Sequence, residues 1–296
     1  MRAESLSVPA AQISSLKCGG VLKKAFIPSF ISDLEGCEEI FDGETGHILG
    51  GITNTLVLSS GVDEPVVLTE NLRGFTVNND EIAAYAGERV SFLATLAKSY
   101  GLSGLESLCN IPGTIGGAVM GNAGCFGAEI SDLICGVDVL KLDTGETEYL
   151  SKDEIAFGYR YSNLRVGRDF IYKVHLRLFP SSPDRIVAKM EDVRKKRLES
   201  QPKLPSLGSV FKKCGDKSAG WYIEKAGLKG YRYGGMEFSE LHANFIVNKG
   251  GSAEDYLFLV RLAEKKVYET FGIELSREVK IIGEEDGIGG SQTRYC

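Results

Sequence analysis

Two glycine-dense loops carry the residues most able to do chemistry. The first is Gly50-Gly51-Ile52-Thr53-Asn54-Thr55. The second runs from Gly101 to Gly127, where eight of 27 residues are glycine and Glu106 is the only charged side chain. Such a stretch offers backbone rather than side chains. In Pro112-Gly113-Thr114-Ile115-Gly116-Gly117, successive N–H groups can point into one concavity, because glycine tolerates positive φ and carries no Cβ to block a ligand. A phosphate or pyrophosphate suits that geometry. The plainer alternative is a tight buried turn, which the density of glycine and the following Asn122-Ala123-Gly124 argue against.

The bulk composition narrows the partners. The chain has 296 residues, 43% hydrophobic and 25% charged, with a net charge of −6. That length allows two or three units with real cores. The acidic balance argues against a nucleic-acid binder. No apolar run approaches the roughly 18 residues of a membrane span, and MRAESLSVPAAQ lacks a signal-peptide pattern, so a cytoplasmic protein is expected. Seven cysteines and three histidines, with no CxxC pair, predict neither a metal site nor a disulfide scaffold. Cys125, inside the glycine stretch, reads as a small buried residue rather than a nucleophile.

The elements that must position these loops follow from periodicity. His47-Ile48-Leu49 leads into the first loop and Leu56-Val57-Leu58 out of it, a strand, a turn and a strand. Val66 to Ala86 alternates as short strands around an Asn78-Asn79-Asp80 hairpin turn. Ser91 to Tyr100 has helical spacing and delivers the chain to the second loop. Ile134–Leu142, Glu146–Leu150 and Phe170–Phe179 read as strands. Pro180 to Pro183 marks a boundary. Beyond it, Asp184–Ser200 is a helix with Ile186, Met190, Val193 and Leu198 on one stripe. Ser252 caps an amphipathic helix running to Phe271, and Val279–Ile282 is a last strand before a Gly-rich tail expected to be disordered. The boundaries expected are 1–70 and 71–183 for two lobes, 184–275 for a third domain, and 276–296 for a C-terminal segment.

Neither loop has the G-x-G-x-x-G fingerprint, and no Walker sequence is present, which disfavours Rossmann dehydrogenases and P-loop NTPases. One remaining option with this mixture of strands and loops is a flavin dinucleotide held mainly by main chain. Gly104-Leu105-Glu106, Ile111 to Ala118 and Asn122-Ala123-Gly124 resemble the FAD-binding core of the UDP-N-acetylenolpyruvoylglucosamine reductase (MurB) family. The likeness continues in order through Tyr159-Arg160-Tyr161-Ser162, Gln201-Pro202, Gly208 to Lys212, Ala219 to Gly230, Ser239 to Phe245 and Glu278-Val279. It covers roughly residues 14 to 284.

The resemblance implies an α+β fold: a two-lobed FAD-binding module of the MurB and vanillyl-alcohol-oxidase type, plus a C-terminal substrate-binding domain. It implies non-covalent FAD, NADPH as reductant and UDP-N-acetylglucosamine enolpyruvate as substrate, in a monomer with no nucleic acid and no membrane. Only 49 residues separate Arg160 from Ser209, as in the subtype lacking an inserted tyrosine loop. The cofactor would lie on Gly50, Gly51, Thr53, Asn54, Thr55, Pro112, Gly113, Thr114, Gly116, Gly117, Asn122, Ala123 and Gly124. Tyr159, Lys212, His242 and Asn244 would meet the substrate.

Arg160, Ser209 and Glu278 stand at the family's catalytic positions. Hydride addition to an enolpyruvyl ether pushes charge onto its carboxylate, which a fixed guanidinium can stabilise. The enolate carbon then needs a proton, from Ser209 with a cation such as Lys212 nearby. Glu278 would polarise the intermediate or orient Arg160.

The chain departs from the pattern at three places. Ile52 stands where the flavin loop usually has a third glycine, and a β-branch disfavours the positive φ that glycine permits. Lys213-Cys214 replaces Asn-Pro, and Ile13-Ser14 replaces Asn-Thr. Two other readings are a flavin oxidase of the same superfamily, marked by covalent attachment at His47, and a flavin- or nucleotide-binding module without turnover.

Overall fold

The computed structural model describes residues 5–41 and 46–284. The chain N-terminal to Thr69 builds a four-stranded sheet ordered Leu6–Pro9, Val21–Phe26, Val62–Leu68, His47–Leu49. The last three strands in this order are parallel, and only the edge strand Leu6–Pro9 is antiparallel. Leu22, Ala25, Val57, Val62 and Val66 fill its core.

A second lobe is a five-stranded antiparallel sheet ordered Thr147–Ser151, Ile134–Lys141, Asp169–Arg177, Glu81–Tyr85, Phe75–Asn78. The period of two places Val137, Val139, Val174 and Leu176 inward, each less than 1% exposed, against the helix Val90–Ser99. Burying each such side chain contributes about 1.5–3 kcal/mol. The hairpin turn falls at Asn79-Asp80 as predicted, with Asn79 at φ 53°.

The third lobe is an antiparallel sheet ordered Ser206–Ser209, Phe245–Asn248, Met236–Phe238, Arg232–Tyr233, backed by the helices Ala219–Lys225 and Ala253–Phe271. Ser252 caps the latter helix through its hydroxyl to Asp255 N, as its position predicts. Leu16, Leu56 and Leu58 of the first lobe belong to this third core. Ser59 adds a polar latch, donating N–H and hydroxyl to Glu254 at 3.0 and 2.7 Å. The closing strand Lys280–Ile282 runs parallel to Thr55–Val57. The chain end therefore returns to the loop at residues 50–54.

The helix Pro183–Ser200, assigned to the third domain by the sequence reading, packs elsewhere. Its stripe is directed at the second core, which takes in Val193 with Met190 against it, and Lys189 pairs with Glu106 at 3.1 Å. The expected disordered tail lies outside the described residues from 285 onward. Among the described residues, no helix is long and apolar enough to cross a membrane.

Candidate active site

The two glycine loops face each other across one cavity of about 350 Å³, walled by all three lobes. Their approach is close. Thr53 Oγ1 donates to Pro112 O at 3.3 Å, and a Cβ on Gly51 would lie 3.4 Å from Gly113 Cα. A Cβ on Gly50 would overlap Thr114 Oγ1, the oxygen that caps the helix Ile115–Met120 by accepting from Gly117 N. A Cβ on Gly116 would stand 2.7 Å from Ala86 Cβ. Small residues are required here by contact, not only by torsion.

Ile52 adopts the left-handed conformation that its side chain disfavours, at φ 43°, with only 3% of its surface exposed. Along 51–54, no backbone N–H donates to a protein acceptor among the described residues. Thr69 Oγ1, also on the cavity wall, is buried with no hydrogen-bond partner among the described residues. Buried or cavity-facing donors left open in this way fit an acceptor-rich ligand such as a dinucleotide.

At the other end, Arg160 sits at φ 55° and is held on three sides. Nε donates to Glu278 Oε1 at 2.7 Å, and Nη2 to Gly124 O at 2.9 Å. The Tyr159 ring lies 5.2 Å from its Cζ. Glu278 is brought there by the strand that follows it and by two main-chain bonds, Glu278 N to Val210 O at 2.8 Å and Asn54 Nδ2 to Glu278 O at 3.1 Å. Ser209 ends the strand Ser206–Ser209, whose pairing slips between these two residues beside Gly208 at φ 78°. Such an irregularity re-aims a side chain. Ser209 borders the cavity, and its hydroxyl makes no hydrogen bond among the described residues.

The electrostatics follow from burial. The Glu278 carboxyl is pushed above its ordinary range by desolvation, which Arg160 and Lys212 oppose. Desolvation pulls the Lys280 ammonium down, and Lys212 adds to this. His47, on the cavity wall, is pulled down mainly by burial, and Arg197 likewise.

All the residues expected to hold the cofactor border the cavity except Asn122. Asn122 is fully buried and its amide is engaged elsewhere: Nδ2 to Glu129 Oε2 at 2.8 Å and Gly158 O at 3.0 Å, Oδ1 from Ser131 N at 3.2 Å. It braces the hairpin that leads to Arg160. Asn244, expected to meet the substrate, instead brackets the main chain of Phe211 with both halves of its amide. His242 accepts from Asn244 N at 3.2 Å and packs on Phe245, outside the cavity wall. Tyr159 is 52% exposed and accepts from Lys213 N, and Lys212 also stands off the wall. Cys125 borders the cavity rather than being wholly buried.

Two cations on the wall were not among the expected residues. Lys280 opens the closing strand two residues after Glu278, and both side chains border the cavity. Arg197 continues the stripe of Met190 and Val193 at helical spacing. Both signals were present in the pattern.

A cavity lined by glycine loops and open main-chain donors and walled by three lobes is the architecture of a flavin-dinucleotide oxidoreductase, and residues 43–151 match the FAD binding domain family. Residues 201–282 match the C-terminal domain of UDP-N-acetylenolpyruvoylglucosamine reductase. The protein of that name from Thermotoga petrophila is 39% identical over 271 residues, covering 90% of this chain and 95% of that protein. The Bacillus pumilus protein is 37% identical over 287 residues, covering 94% and 93%. The crystal structure of the reductase (MurB) from Thermus caldophilus superposes with a TM-score of 0.81 at 33% identity, covering 94% of this chain and 99% of that one. The chain belongs to the UDP-N-acetylenolpyruvoylglucosamine reductase family.

Proposed function

We propose that this chain reduces the enolpyruvyl double bond of UDP-N-acetylglucosamine enolpyruvate to give UDP-N-acetylmuramate, using NADPH and non-covalent FAD, as a monomer in the cytoplasm. The observation that carries the catalytic assignment is the Arg160–Glu278 pair at 2.7 Å on the wall that also bears the unengaged Ser209 hydroxyl. FAD, when bound, would supply the hydride chemistry that links NADPH to the enolpyruvyl carbon.

The residues of the chain account for the rest. The open N–H groups of 51–54, with Gly113 and Thr114 opposite, would hold the cofactor's diphosphate. Arg160 is fixed through Nε and Nη2, so its position does not have to be found during the reaction. It takes up the charge that develops on the substrate carboxylate. Glu278 keeps that guanidinium in place and, through its main chain, keeps Ser209 and the first glycine loop in one frame. Ser209 gives its proton to the substrate carbon. A serine hydroxyl is a weak acid, so this step requires the strongly basic enolate that hydride addition creates. Lys212, close enough to act on Glu278, adds positive potential.

The test is the visible spectrum of the purified protein and its NADPH oxidation with and without the enolpyruvyl sugar. Bound flavin with sugar-dependent turnover that collapses in Ser209→Ala supports the reading. Bound flavin without sugar-dependent turnover overturns it.

A further inference from the structure

Ser15 joins the two sides of the cavity. Its N–H donates to Ile52 O at 3.1 Å, inside the first glycine loop. Its hydroxyl, 3.4 Å from the same carbonyl, makes its short bond to Ser206 O at 2.7 Å. Ser206 begins the strand that ends at Ser209. Ile52 in turn holds φ 43° with its side chain set into the first core beside Leu49, Val57 and Val66.

We propose that Ser15 is a positioning residue: with Ile52 as its apolar anchor, it fixes the cofactor loop in its anion-receiving form and sets that loop against the strand of Ser209. Naming the anion as the diphosphate of FAD rests on the family reading above. The argument is one of over-determination. A β-branched residue stays at positive φ only where its surroundings outweigh the local steric cost. Here the side chain cannot leave without exposing itself to water, and the carbonyl cannot turn without abandoning the Ser15 N–H. The peptides on either side are thereby held, and the N–H groups of 51–54 stay unengaged by protein among the described residues. A glycine at 52 would permit the same φ but not enforce it. A loop already in its bound form spares the ligand the entropy of ordering it.

A serine that merely closes the N-terminal turn would affect stability alone, so the test separates the two roles. Full-length protein is compared with Ser15→Ala, Ser15→Thr and Ile52→Gly. Three quantities are read: FAD affinity of the flavin-free protein by fluorescence quenching, the rate at which NADPH-reduced flavin is reoxidised by the enolpyruvyl sugar, and the Cα and Cβ shifts of Ile52 in selectively labelled flavin-free protein.

Ser15→Ala is expected to weaken FAD binding and slow reoxidation by about tenfold each, the effect of losing one well-placed hydrogen bond, with Ser15→Thr restoring both. Ile52→Gly weakens FAD binding to a similar degree although it relieves the torsion. Ser15→Ala keeps the N–H that holds the Ile52 carbonyl but removes the hydroxyl's bond to Ser206 O and its 3.4 Å contact with that carbonyl, so the left-handed shifts of Ile52 are expected to move part of the way towards averaged values. Parent-like FAD affinity in both Ser15→Ala and Ile52→Gly, losses that merely track the melting temperature, or unchanged Ile52 shifts in Ser15→Ala overturn the proposal. If the parent protein takes up no FAD, the family reading fails instead, and the Ile52 shifts still decide the role of Ser15.

Discussion

Arg160 donates through Nε to Glu278 Oε1 at 2.7 Å and so joins the second lobe to the segment that closes the third. Both side chains are largely withdrawn from solvent, at 23% and 15% exposure. A half-buried ion pair is weak evidence for net stability, because desolvating two charges offsets much of their attraction. Its geometry is better understood as orientation, since Gly124 O takes a second edge of the same guanidinium and leaves it one attitude.

The pair sets a pH dependence. Burial raises the Glu278 carboxyl above its ordinary 4.5, and Arg160 and Lys212 offset this only in part. The folded state therefore binds this proton more tightly than the unfolded state. The group's contribution to stability is present in acid and is lost as pH rises from 4.5 through the raised value. Activity runs the other way, because the ion pair needs the carboxylate. Reoxidation of reduced flavin by the enolpyruvyl sugar is expected to rise through that same window, measured by stopped flow across the acid range. Glu278→Gln should slow the step by about 10²-fold and abolish the inflection. An inflection that survives in the Gln variant would assign it to another group.

Ser209 offers a separable step. Its hydroxyl is on the cavity wall and bonds to nothing else among the described residues, so its removal leaves no partner stranded. Ser209→Ala is expected to cost about 10²–10⁴ in sugar-dependent reoxidation while flavin reduction by NADPH stays near the parent rate. Ser209→Cys, which keeps a proton donor, should recover part of the loss. Equal losses in both half-reactions would mean that the serine shapes the site rather than donating a proton.

How much of this was legible in the residues depends on how many environments each type tolerates. Glycine tolerates few crowded alternatives, so the loops at 50–55 and 112–117 could be read directly, and the contacts at Gly50 and Gly116 give the reason. Alternation and helical spacing likewise located the second-lobe strands and the helix Ala253–Phe271. Asparagine behaves differently. The amides of Asn122 and Asn244 could serve a ligand or the main chain equally well, and only the fold shows that both serve the main chain. The helix Pro183–Ser200 was clear in its period, but a stripe does not name the surface that receives it. The positive φ of Ile52 was illegible because it depends on a core pocket and on Ser15, distant in sequence.

Gly50→Ala tests the meeting of the two loops. The added methyl would collide with Thr114 Oγ1, forcing the loops apart or displacing the cap of the helix Ile115–Met120. FAD affinity of the flavin-free protein is expected to fall by about 10- to 100-fold, which corresponds to roughly 1.4–2.8 kcal/mol. Adding Thr114→Ala removes the colliding oxygen and should restore part of that affinity, although the cap is lost. Strictly additive effects in this double-mutant cycle would show that the two residues do not meet.

Asn122→Ala discriminates a brace from a ligand contact. The amide is fully buried and makes bonds to Glu129, Gly158 and Ser131, so truncation unpairs a carboxylate oxygen, a carbonyl and an N–H at part-buried positions. Leaving a buried group unpaired costs about 1–3 kcal/mol, and because these part-buried partners can recover some hydration a net loss of roughly 3 kcal/mol is expected for the three together. For a chain of this size that lowers the melting temperature by about 6–12 °C. Because the side chain does not border the cavity, FAD affinity measured well below that temperature should stay within about threefold of the parent, since no ligand contact is removed. A variant that melts like the parent but loses FAD would return Asn122 to the cofactor wall.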